Sequence, residues 1–187
     1  MDFYEERNMD SDDDNEHEDK NTLRYDLAYM IRKMTKVIGF MKVFKVIGNR
    51  LSHSIQHLQA EVEKEGQGTT STLVKFEAEL YCLSGALKKI QATDEEVFNT
   101  MQKMLELILS INYPKQKVLY TALKILSKSS IFFGSRVDLL QGAFKLLANC
   151  MQVKKFENEA AEAISNLCKN NKGFVIENLS DFVDCKF

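Results

Sequence analysis

The chain has 187 residues, 44% hydrophobic and 28% charged, with 25 Lys and Arg against 27 Asp and Glu. That length carries one domain with a real core or a short stack of repeats, and a net charge of −2 does not mark the whole chain as a nucleic-acid binder. Eight glycines and one proline are too few for an all-β protein built on tight turns.

Residues 1–20 hold ten Asp or Glu and two Lys or Arg, a net charge of −8. The segment 1–21 repels itself and has little to bury, so it reads as disordered or as a solvated loop, with Phe3 and Tyr4 as its apolar handles. It is neither a secretory signal nor an Arg-rich transit peptide. Thr22 suits an N-cap. Leu23, Leu27, Met30, Ile31, Met34 and Ile38 follow at helical spacing, which predicts one buried side. Gly39 interrupts, and a second run passes through Met41, Phe44, Ile47, Leu51, Ile55 and Leu58 to about Glu65. The most apolar stretch, Val37 to Gly48, is short and carries Lys42 and Lys45, too little to cross a bilayer.

"GQGTTST" (66–72) is a loop signal, and a third helix is expected from about Leu73 to Gln91. Thr93 and Glu96 form a capping-box pattern ahead of Val97, Met101, Met104, Leu105 and Ile108. The single proline, Pro114, suits the first turn of a fifth helix, where its missing N–H has no partner to lose. Ser135 can cap a sixth helix, and a seventh carries Ala160, Ala163, Ile164, Leu167 and Cys168 before "NNKG" supplies a glycine stop. An eighth begins in "FVIENLSDFVDCKF".

The fold class is therefore all-α. The helices fall into pairs, about 22–65, 72–110, 114–151 and 154–187, and later pairs begin about 40 residues apart. That period matches HEAT and armadillo units. Ala78, Ala122 and Ala163 recur in the first helices, each followed four residues on by Cys82, Leu126 or Leu167. A small residue there would let a neighbouring helix approach closely. The expected architecture is a short right-handed α-solenoid of about four HEAT-like hairpins, each burying its apolar side against the next. A single compact helical bundle is the alternative packing.

Three segments carry a resemblance. "FEAELYCLSGALKKI" (76–90), "YPKQKVLYTALKIL" (113–126) and "NEAAEAISNLCKNN" (158–171) resemble successive first helices of the importin-β (karyopherin-β) superfamily, nearest the transportin-SR and importin-13-like branch. "DFYEER" followed by an amphipathic helix is similar to the entry of an upstream repeat. The resemblance implies a nuclear transport receptor that shuttles between nucleus and cytoplasm. Its partners would be protein cargo, nucleoporins and the GTPase Ran, with no direct nucleic acid, membrane or cofactor. Members of the superfamily are several times longer than this chain, and the matching segments are helix cores, so no binding residue is carried over. The final "SDFVDCKF" lacks an evident polar cap, which slightly favours a truncated fragment.

The second helices offer polar stripes. Glu95, Asn99, Lys103 and Glu106 form one, and Asp138, Gln141, Lys145 and Asn149 form another. In a solenoid, second helices line the concave surface where a protein partner lies. Either stripe is equally what the wet side of an amphipathic helix looks like. The acidic segment, with Asp12, Asp13, Asp14, Glu16 and Glu18, suits a basic cargo signal or Ran, or serves as a solubilising loop. Residues 24–50 carry seven Lys or Arg against Asp26 alone, so the acidic segment is also expected to fold back on them at low salt.

Catalytic signals are weak. His53, His57 and Glu61 share a helix side, but no further ligand set accompanies them. Cys82, Cys150, Cys168 and Cys185 form no C-x-x-C pair and read as free thiols. No phosphate loop or nucleophile elbow occurs, so a non-enzyme is expected. A stand-alone scaffold without transport activity, an enzyme hidden in a bundle, and a truncated product without independent function stay open.

Overall fold

The computed structural model describes residues 14–65, 68–87, 95–111, 116–134 and 136–177, without the side chains of residues 14–23, Glu65 and Phe174. Its helices are α1 (Asp14–Ile38), α2 (Phe40–Glu65), α3 (Thr70–Ala86), α4 (Glu95–Leu109), α5 (Gln116–Lys128), α6 (Val137–Met151), α7 (Glu157–Asn170) and α8 (Lys172–Glu177). A 3-10 turn, Ser130–Phe132, lies between α5 and α6. The described residues contain no strand, so the all-α expectation holds.

Local chemistry sets the breaks. Gly39 has φ of 90°, a conformation that costs an L side chain about 1–2 kcal/mol. It therefore ends α1 and starts α2 with no further linker. At α3 the cap is Thr69, whose hydroxyl accepts from the Thr72 N–H. Glu61 at the end of α2 reaches across and accepts from the Thr69 N–H at 2.8 Å and the Thr72 hydroxyl at 2.9 Å. The turn between α2 and α3 is thus closed by one carboxylate.

Paired positions reveal how the helices run. Arg24 and Gly85's neighbour Ala28 on α1 meet Glu77 and Gly85 on α3. Glu77 and Ser84 on α3 meet Thr121 and Lys128 on α5. Ser127 in the last turn of α5 and Ser130 in the 3-10 turn meet Asn166 and Asn170 on α7. Both members of each pair advance together, so α1, α3, α5 and α7 are parallel. On the other side Lys45 and Gly48 of α2 meet Glu96 and Met104 of α4. Gln102 and Glu106 of α4 meet Phe133 and Arg136, which lead into α6. The even helices α2, α4 and α6 are parallel as well.

The core lies between these two sets. Phe44, Leu51 and Ile55 of α2, Phe76, Leu80 and Leu83 of α3, Met101, Leu105 and Ile108 of α4, and Phe132 and Phe133 after α5 are all almost wholly buried. Val118, Ala122, Ile125 and Leu126 of α5 join them, as the periodicity requires.

Several expectations need correction. Among the described residues the first helix already runs from Asp14, inside the acidic segment, rather than from near Thr22. The apolar side of α1 is not core: among its described stripe residues only Ile31 is buried, while Leu27, Met30, Met34 and Ile38 are exposed. Ala78 is exposed too. The close approach on α3 is made by Gly85, where a Cβ would sit 3.3 Å from the Ala28 backbone. α3 starts at Thr70, ahead of Leu73. α7 is capped by Asn171 rather than by a glycine, and the buried Asn171 amide donates to the Leu167 and Ser130 carbonyls at 3.0 and 2.9 Å. Gly173 falls inside α8. Asp12, Asp13, Thr93, Pro114, Ser135 and Cys185 lie outside the described residues.

Candidate functional site

The eight polar residues expected to face a partner occupy α4 and α6, two helices of 15 residues each. All eight, Glu95, Asn99, Lys103, Glu106, Asp138, Gln141, Lys145 and Asn149, are exposed. Their helices bury the opposite side, through Val97, Met101, Met104, Leu105 and Ile108 on α4 and Leu139, Leu140, Ala143, Leu147 and Cys150 on α6.

Only two of the eight are brought together. Arg136 donates to Glu106 at 2.6 Å and, through two nitrogens, to Asp138 at 2.8 and 2.5 Å. This fork–fork pairing fixes the guanidinium plane. It also places the last turn of α4 beside the first turn of α6, so the second stripe begins where the first ends. With a rise of about 1.5 Å per residue, the two together extend on the order of 30 Å. Two stripes side by side would have been the simpler inference from their similar spacing. Gln102 fixes the stagger, donating to the carbonyls of Phe132 and Phe133, both at 3.2 Å.

The Arg136 guanidinium holds the Asp138 carboxyl down to about 2, chiefly through its hydrogen bonds. Arg136 was not among the sequence candidates. It precedes the sixth helical pattern as an ordinary linker residue, and only the fold shows that it joins the stripes. Lys45 of α2 pairs with Glu96 of α4 at 2.6 Å, extending the chain of exposed charges. The surface therefore mixes both signs, and exposed pairs of this kind contribute little stability. What it offers is a set of exposed polar groups on a rigid backing.

The other layer holds a buried polar axis. Glu77 is 3% exposed. It accepts from Thr121 of α5 at 2.8 Å and from the Arg24 guanidinium of α1. One carboxylate thus ties three parallel helices. Further along, Lys128 donates to the Ser84 carbonyl and hydroxyl at 3.1 and 2.6 Å. Asn166 donates to Ser127 at 2.8 Å, and Asn170 to Ser130 at 2.7 Å. These partners lie 44 residues apart between α3 and α5, and 39 or 40 between α5 and α7. Glu77 had a readable signal: it falls four residues after Leu73 and three before Leu80, on the apolar side of its helix.

The histidine cluster does not assemble. His53 and His57 are exposed, and Glu61 is engaged with Thr69 and Thr72, with His57 at 3.3 Å. The Thr69 N–H pulls the Glu61 carboxyl below its ordinary value. Among the described residues no three His, Cys, Asp or Glu side chains group in a way that could hold a metal. Cys82, Cys150 and Cys168 are free thiols, and burial raises the pKa of each. A raised thiol is a poor nucleophile at neutral pH. No described helix is long and apolar enough to cross a membrane.

Of the acidic candidates, Asp14, Glu16 and Glu18 lie within the range of α1. Comparison with protein-family models, with curated proteins and with solved structures returned no match.

Proposed function

We propose that the chain is a protein-binding segment of an importin-β-like nuclear transport receptor, built as a short α-solenoid of HEAT-like hairpins. The observation that carries the repeat reading is the set of hydrogen bonds from α3 to α5 and from the α5 end to α7, at separations of 39 to 44 residues, while the bond from α1 to α3, Arg24 to Glu77, spans 53. The shorter interval matches the unit length of HEAT and armadillo arrays. The transport assignment rests on the likeness of residues 76–90, 113–126 and 158–171 to first helices of that superfamily. In such an array the even helices line the inner surface. The stripe from Glu95 to Asn149 would then meet a folded or extended protein partner in nucleus and cytoplasm. The packed odd layer would hold the helices in place behind it.

The test is recovery of partners from nuclear extract on the immobilised full chain, in the presence of Ran loaded with GTP or GDP. A transport segment releases a defined set of proteins with one nucleotide state and keeps them with the other. A bound set that ignores the nucleotide rejects the transport role and leaves a helical scaffold. Carrying Lys103→Glu and Lys145→Glu together should reduce capture several-fold without changing helicity, because both side chains are exposed.

A further inference from the structure

We draw no further inference here: the strongest candidate, the exposed apolar strip of α1 formed by Leu27, Met30, Met34, Val37 and Ile38, is an unpartnered helix face, and nothing in the structure shows what covers it.

Discussion

Glu77 is the residue on which the odd layer depends most. Removing this buried acceptor takes a bond from each of its donors, although the Thr121 hydroxyl keeps the Lys117 carbonyl at 3.2 Å. Glu77→Ala should lower stability by about 1–2 kcal/mol in urea unfolding, because Thr121 and Arg24 both lose a bond that ties three helices. Glu77→Gln, which keeps an acceptor for Thr121, should cost about half as much. Two carboxylates on the other layer make pH-dependent predictions. Asp138 sits at about 2, against an ordinary 3.8, so the stability it adds is present above 3.8 and lost as pH falls toward 2. Arg136→Gln should return its titration toward 3.8, as read by carboxyl NMR. Glu61 is also lowered from 4.5. Glu61→Gln should therefore destabilise the chain at neutral pH, with the difference from the native chain shrinking as pH falls below 4.5.

At the level of helices, the periodicity of apolar residues identified α2, α4 and α5 with their buried sides, from Phe44 and Leu51 through Met101 and Leu105 to Ala122 and Leu126. It misjudged α1 because a strip of Leu27, Met30, Met34 and Ile38 has the same spacing whether it meets core, another molecule or water. It also assigned close packing to Ala78, when the contact is made by Gly85 against Ala28. Side-chain size was readable, but which side of α3 faced α1 was set by tertiary packing. The polar stripes were legible as exposed residues. Their stagger was not, since it depends on Gln102 reaching backbone carbonyls some thirty residues away. The break between α1 and α2 gives a direct check. Gly39→Ala should cost about 1–2 kcal/mol, because its φ of 90° is retained by the hairpin and no neighbouring atom lies within 4 Å of an added Cβ. Thermal unfolding reads that loss without interference from a steric clash.

Across the molecule, the two layers differ in where their polar groups go. The odd helices are joined at recurring intervals by Glu77–Thr121, Ser84–Lys128 and Ser127–Asn166, which hold parallel neighbours in register. The even helices carry an exposed polar surface on which, among the described residues, Arg136 joins Glu106 and Asp138 across the helices. Such a division suits a scaffold that keeps its shape with one layer and meets partners with the other.

The most direct measurement of that division is site-specific photocrosslinking in nuclear extract. A photoreactive amino acid would be placed at Asn99, Gln141 or Asn149 on the even helices, or at Lys75 or Ala161 on the odd ones, all exposed positions. The expected result is discrete protein adducts from Asn99, Gln141 and Asn149, with none from Lys75 or Ala161. Adducts only from Lys75 or Ala161, or equal yields from every position, would contradict the assignment of protein binding to the α4–α6 surface.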